Sequence, residues 1–419
     1  MPSKFQKIVS HLIEAIEQGQ LKRGERLPSI RKLSHTYSCS KDTVQKALLE
    51  LKYQNYIYPV AKSGYYVLDN NQEELDLPEL SSSEQSFTFD DFKKCLSETL
   101  VGREDYLFNY YHDQRGLSEL IRSLHRLFSE NDIYSKEERI VVTSGTQQAL
   151  YILSRMHFPN HKKTILLEQP TYHRMNRIVN SQGIPYLTIQ RGFEGLDFDR
   201  LEELFQQHDI KFFYTIPRLS NPLGLSYSHR EKQTLVELAD KYDVYLVEDD
   251  YMADFDRPSN VPLHYLDTHE KVIYLKSFST TLFPALRLGS LVLPKALLEA
   301  FLAYKSLIDY DTNLIMQKAL SIYIDNGMFA VNTEKLRQLH QQKRQQLKTS
   351  LTHHQLALEG RVLTDSLVLK LPEAHHLSVK DWDFLTSSYI GDNPHRYLSL
   401  RNDGSLDQTL SQLKDTFSS

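Results

Sequence analysis

The chain has 419 residues, with 49 basic and 54 acidic side chains, 40% apolar and 25% charged residues, 15 Gly, 15 Pro and two Cys. Its apolar content and net charge of −5 exclude a disordered chain, and its Gly and Pro are too sparse for a collagen-like or low-complexity one. No run approaches the roughly 18 uninterrupted apolar residues of a membrane span. The start, Met1-Pro2-Ser3-Lys4-Phe5, leads into an amphipathic pattern and not a signal peptide's apolar block, so a cytoplasmic protein with no membrane partner is expected. Cys39 and Cys95 stand alone, making neither a disulfide framework nor a metal-ligand cluster, and no metal is expected.

Charge is spread unevenly. Residues 1–70 hold 11 Lys or Arg and 6 Asp or Glu, whereas the remainder holds 38 and 48. A small basic module on an acidic body is the asymmetry expected when only the small part meets a polyanion such as DNA.

Ile8, Leu12, Ile13 and Ile16 follow a helical spacing that breaks near Gly19, and a second helix begins after Pro28 with Ser29 as its N-cap and Ile30 and Leu33 facing inward. Ser40 caps a third helix. Val44, Ala47, Leu48 and Leu51 fall on one side of it, and Lys41, Gln45 and Lys52 on another. Tyr56 to Val60, a Lys62-Ser63-Gly64 turn and Tyr65 to Val67 read as a hairpin with a basic tip. The whole is a helix-turn-helix with a wing. Asp69 to Ser86 is polar, acidic and Ser-rich without a helix or strand period, and reads as a linker between a domain of residues 1–68 and one of residues 87–419.

Beyond it, strand-like runs alternate with amphipathic helices at Ile140 to Thr143, Thr164 to Leu167, Lys211 to Thr215, Val244 to Val247 and Val272 to Leu275, the rhythm of an α/β fold. Ser144-Gly145-Thr146-Gln147 follows one strand and opens the helix Gln148 to Met156, a helix N-terminus suited to a phosphate. Glu168-Gln169-Pro170-Thr171-Tyr172, Asn221-Pro222-Leu223-Gly224 and Glu248-Asp249-Asp250-Tyr251 follow in order, the marks of a pocket at the strand ends.

GERLPSIRKLS, CSKDTVQKALLEL and KSGYYV resemble the DNA-binding domain of the GntR superfamily in order and spacing. The resemblance implies that Arg31, Ser40, Lys41, Thr43 and Gln45 meet double-stranded DNA, with Lys62 and Gly64 at the wing. Many members carry Arg where this chain has Lys41 and Gln45, so a base preference does not transfer.

The ordered motifs of the body resemble fold type I enzymes that use pyridoxal phosphate (PLP), aminotransferases with a large and a small domain. By that resemblance Ser144, Gly145, Thr146, Ser277 and Arg287 hold the phosphate, joined by Tyr111 across a dimer interface. Tyr172 stacks on the pyridine ring, Asn221 and Tyr251 bond its phenolic oxygen, and Asp249 pairs with its nitrogen. At YLKSFSTTLFPALRLGS, however, the position of the family's Schiff-base lysine holds Thr280. A hydroxyl cannot form an imine, so no catalytic residue is expected and ordinary transamination should be absent or very slow. Lys276, four residues earlier, reads as a surface lysine. Near the C-terminus Tyr397 falls where the family supplies an arginine for a substrate carboxylate, with Arg396 and Arg401 nearby.

A winged helix ahead of an aminotransferase-like body resembles a MocR-type transcriptional regulator. That resemblance implies a homodimer sensing a small-molecule effector, an amino acid or a vitamin B6 derivative. PLP, pyridoxamine phosphate (PMP) or a preformed PLP–amino acid adduct would then be bound non-covalently. The competing readings are a working enzyme that uses Lys276 or another lysine, with the DNA-binding domain as an appendage, and a regulator whose body has lost cofactor binding and only dimerises.

Overall fold

Ile8, Val9, Leu12 and Ala15 recur every three or four residues and give helix α1 (Lys4–Glu17) one buried face. In this computed structural model, which describes residues 4–17, 20–21, 24–53, 56–60, 63–67, 82–101, 104–109, 113–256, 259–354, 358–363, 366–372, 377, 382–401 and 406–418, α1 packs with α2 (Ile30–Thr36) and α3 (Lys41–Tyr53). Serine caps start both short helices: Ser29 Oγ accepts the Lys32 amide at 3.3 Å, and Ser40 Oγ accepts that of Thr43 at 3.2 Å. Val44, Ala47, Leu48 and Leu51 are buried, while Lys41, Gln45 and Lys52 are exposed, so α3 turns its polar stripe to solvent. Strands β1 (Ile57–Val60) and β2 (Gly64–Val67) pair antiparallel, and residues 24–27 are stitched onto them through Leu27 N–H to Tyr65 O (2.8 Å) and Val67 N–H to Glu25 O (3.0 Å). These elements form the unit Met1–Pro78, a winged helix.

The second unit, Glu79–Ser419, opens with α4 (Ser82–Leu100), α5 (Glu104–Phe108) and α6 (Ser118–Ser129). Helix α4 corrects the linker expectation, since it takes in residues 82–86; residues 68–81 lie outside the described ones. Eight strands follow as β3 (Ile140–Thr143), β4 (Thr164–Gln169), β5 (Tyr186–Gly192), β6 (Gly195–Leu196), β7 (Ile210–Thr215), β8 (Tyr245–Asp249), β9 (Val272–Ser277) and β10 (Gly289–Val292). Between them run α7 (Thr146–Arg155), α8 (His173–Ser181), α9 (Phe198–Gln207), α10 (His229–Lys241) and α11 (Leu263–Leu266). The sheet order is β3-β10-β9-β8-β7-β4-β5-β6, with β9, β8, β7, β4 and β5 parallel and β10 antiparallel to both neighbours.

Every residue of β7, β8 and β9 is buried, because helices cover both faces. Alternate residues therefore feed different cores: Val247, Ile273 and Leu275 join the cluster around α7 and β4, whereas Tyr274 joins that of α6 and β3. Helices α12 (Lys295–Ile308), α13 (Leu314–Asp325) and α14 (Met328–His354) lead to a small antiparallel sheet of β11 (Gly360–Val362), β12 (Ser366–Lys370) and β13 (Tyr397–Arg401), closed by α15 (Leu406–Ser418). Among the described residues no helix is long and apolar enough to cross a membrane, and no group of His, Cys, Asp and Glu could hold a metal ion. Cys95 is buried with its thiol 3.6 Å from the Met328 sulfur.

Candidate functional site

The loop from β3 into α7 begins the pocket. Gly145 is the N-cap of α7 at φ 81°, and a Cβ there would come to 3.0 Å from the Arg287 guanidinium. Only glycine combines this backbone with that neighbour. Arg287, itself in the left-handed region (φ 51°) after the turn Pro284–Leu286, reaches back to the Ser144 carbonyl at 3.4 Å. A guanidinium beside the first amides of a helix is an anion seat. Ser144 contributes less directly than its motif suggests. Its amide donates to Gln148 Oε1 (2.9 Å) and its hydroxyl to Asp309 Oδ2 (2.6 Å), so Ser144 ties the loop to the end of α12.

Asp249 ends β8 fully enclosed. Its Oδ2 accepts from the Tyr214 hydroxyl at 2.7 Å, while Oδ1 is buried with no hydrogen-bond partner. Burial pushes this carboxyl up to about 6, against the lowering effect of the Tyr214 bond. Tyr172, at the start of α8, is half-buried; its hydroxyl accepts from Gln147 Nε2 at 3.1 Å, and burial raises its pKa. Asn221, Tyr251 and Ser277 follow β7, β8 and β9 in the chain or end them, and Ser277 Oγ accepts the Ser279 amide at 3.3 Å. Tyr111 and Lys62 lie outside the described residues.

The orphaned Asp249 oxygen and the Gly145–Arg287 seat fit a protonated ring nitrogen and a phosphate. Asp249, Arg287 and Thr146 are thus able to hold a pyridoxal-type cofactor, with Tyr172 beside them.

Lys276 is not the surface lysine its position suggests. It is 4% exposed and paired with Asp254, Nζ to Oδ2 at 2.6 Å. It lies next to Ser277 in an extended strand, so the two side chains leave opposite faces of the sheet. Asp249 is paired in register with Leu275, which shares the face of Ser277. The Lys276 amine is thus on the far side of β9 from Asp249. Thr280 is half-buried, and the next residue is fixed twice: Thr281 Oγ1 donates to Asp254 Oδ2 (2.5 Å), and Thr281 O accepts from Asn332 Nδ2 (2.8 Å). Thr88 of α4 in turn donates to Asn332 Oδ1 at 2.8 Å.

Neither Asp254, Asn332, Tyr214 nor Asp309 stands in the motifs quoted above, and no local spacing marks them, because each acts on a partner at least 22 residues away. Glu168 of the Glu168-to-Tyr172 motif is a structural acceptor, buried with Arg191 (3.2 Å), Thr215 (2.6 Å) and Tyr227 around its carboxylate. Tyr397 is buried, accepts the Phe193 amide at 3.0 Å and packs among Phe193, Leu223 and Tyr389; Arg401 is exposed at the end of β13.

A winged helix followed by a strand-end pocket of this construction defines a regulator of the GntR type carrying an aminotransferase-like body. Residues 4–67 match the bacterial regulatory proteins of the gntR family, and residues 78–365 match aminotransferase class I and II. The chain belongs to this combined family, the MocR-type arrangement. It is 42% identical over 366 residues to the uncharacterized HTH-type transcriptional regulator YcxD of Bacillus subtilis (strain 168), covering 85% of this chain and 82% of the relative. In fold, it is similar to a kynurenine aminotransferase of Pyrococcus horikoshii solved with PMP (TM-score 0.68, 22% identity, covering 79% of this chain and 87% of that one). It is equally similar to the α-aminoadipate aminotransferase LysN of Thermus thermophilus, solved with N-(5'-phosphopyridoxyl)-L-leucine (TM-score 0.68, 21% identity, 79% and 88%).

Proposed function

We propose that this transcriptional regulator binds DNA through its winged helix and reads a vitamin B6 phosphate, free as PLP or PMP or joined to an amino acid, without a covalent bond to the protein. The observation that carries the proposal is Thr280. It stands where the resemblance requires an amine, and the nearest lysine in the chain, Lys276, is ion-paired on the opposite face of its strand. Such a ligand, when bound, supplies a ring able to take up electrons. The chain supplies the seat: Arg287, Gly145, Thr146, Ser144 and Ser277 toward the phosphate, Asp249 toward the ring nitrogen, Tyr172 against the ring, and Asn221 and Tyr251 toward its oxygen. With no amine to form an imine or carry a proton, turnover is absent. We infer a homodimer, as the resemblance implies, in which a ligand preferring one conformation of the body shifts DNA affinity.

The test is hydride trapping after incubation with PLP, followed by peptide mass mapping, alongside equilibrium dialysis with PMP. The expected result is saturable PMP binding that Arg287→Ala weakens by tenfold or more, roughly the 1.5–3 kcal/mol of a charge-assisted bond, with no pyridoxyl label on any lysine. A label on Lys276 and steady conversion of an amino acid and a keto acid would overturn the proposal in favour of an enzyme.

On the DNA side, Arg31 and Lys41 are exposed at the starts of α2 and α3. Arg31→Ala and Lys41→Ala should each weaken binding and lower the slope of log K against log salt by roughly 0.9, the signature of one phosphate contact. Titrations at four salt concentrations check this.

A further inference from the structure

The wing holds a cation, Arg26 of the segment GERLPSIRKLS, that is not among the residues to which the resemblance gives a DNA contact. Gly64 opens β2 at φ 130°, a conformation closed to ordinary side chains, and the Arg26 guanidinium lies against that point of the backbone, with Nε 3.4 Å and Nη2 3.7 Å from where a Cβ would sit, ordinary contact distance. The Arg26 guanidinium therefore rests directly on the backbone of the wing turn. It is held there by local architecture. Arg26 forms a β-bridge with Tyr66, and on either side of it the Leu27 amide bonds Tyr65 O while Glu25 O accepts the Val67 amide. Its neighbour Leu27 is buried in the domain core, which anchors the segment and directs Arg26 outward. Tyr66 is braced in turn by Tyr58, stacked at 5.8 Å, and by the Ser63 hydroxyl at 2.5 Å.

Among the described residues Arg26 is exposed and makes no ion pair. An arginine held against backbone, unneutralised, in a module with 11 basic and 6 acidic residues in its first 70, has no structural debt to explain it. We propose that Arg26 is the fixed cation of the wing and contacts a phosphate of duplex DNA, Gly64 serving as its seat. The guanidinium is placed before DNA arrives, so less side-chain entropy is lost on binding than for a free surface lysine.

The inference rests on the DNA-binding reading above, and the test separates the two. The probe is a duplex enriched from a random-sequence pool by the wild-type full-length protein, titrated at several salt concentrations with wild type, Arg26→Ala and Arg26→Lys. Arg26→Ala is expected to bind about 8-fold more weakly at 0.1 M salt, the value of one counterion released there, with a slope shallower by about 0.9. Arg26→Lys should keep the slope. Unchanged affinity and slope in Arg26→Ala would overturn the inference, as would equal losses in both variants at an unchanged slope, which mark a fault in wing folding. Failure of the wild type to enrich or hold any duplex would instead sink the DNA-binding reading, and this inference with it.

Discussion

Asp254→Asn is expected to destabilise the aminotransferase-like unit by about 3–5 kcal/mol, the usual result of stripping a buried ion of its partner. Asp254 and Lys276 are 8% and 4% exposed and meet at 2.6 Å, and the same Asp254 oxygen accepts from Thr281. The substitution keeps the size of the side chain but removes the charge, and Lys276 is left beneath the sheet with no carboxylate to face. Because the pair also has to be stripped of water when the native protein folds, its absence should matter less than its half-removal. The double variant Asp254→Asn with Lys276→Met should recover most of the loss, coming within about 2 kcal/mol of wild type. Urea unfolding of the full-length protein, followed by a probe of the large unit, measures both. Equal losses in the single and double variants would show that Asp254 acts through Thr281 and the loop alone.

The same pair shows where sequence reading stops. The order of the motifs around Ser144, Tyr172, Asn221 and Asp249 is legible because each ends a strand or follows one within a few residues, and strand ends are marked by local apolar runs and turn residues. Ser29 and Ser40 were legible as caps for the same local reason. Lys276 was not, since its burial depends on β9 lying between β8 and β10 and on Asp254 arriving from a turn 22 residues earlier. The start of α4 escapes a local reading for a different reason. Its first turn is Ser-rich and acidic, and the period that identifies it, with Thr88, Phe92, Cys95 and Thr99 buried, emerges only when the pattern is read backward from the interior of the helix. Asp249 ends β8, but nothing local shows that Tyr214, on the adjacent strand, satisfies one of its oxygens and leaves the other bare.

That bare oxygen sets up a trade between stability and binding. Enclosure raises the Asp249 carboxyl from 3.8 to about 6, a displacement worth on the order of 3 kcal/mol. Between these values the folded protein keeps a proton that the unfolded chain has released. Stability from this group is therefore greatest below pH 4, falls by about 1.4 kcal/mol per pH unit up to about 6, and is level above. Asp249→Asn removes that decline, and the unliganded variant is expected to be up to about 3 kcal/mol more stable than wild type at pH 7.5. Glu248, pushed up to about 7 by its own burial and the neighbouring Asp250 charge, continues to titrate in both proteins, so the difference between their curves, and not either curve alone, isolates Asp249. Urea unfolding from pH 5 to 8 gives that difference. Ligand binding should move the opposite way. Asn cannot balance a protonated ring nitrogen, so Asp249→Asn should bind PMP at least tenfold more weakly at pH 7.5, and the wild-type advantage should shrink below pH 6 as Asp249 takes up its proton. A variant that is both more stable and equally tight would mean that Asp249 does not face the ring. One that is less stable would mean that a positive charge or a further donor besides the Tyr214 hydroxyl stabilises the Asp249 carboxylate.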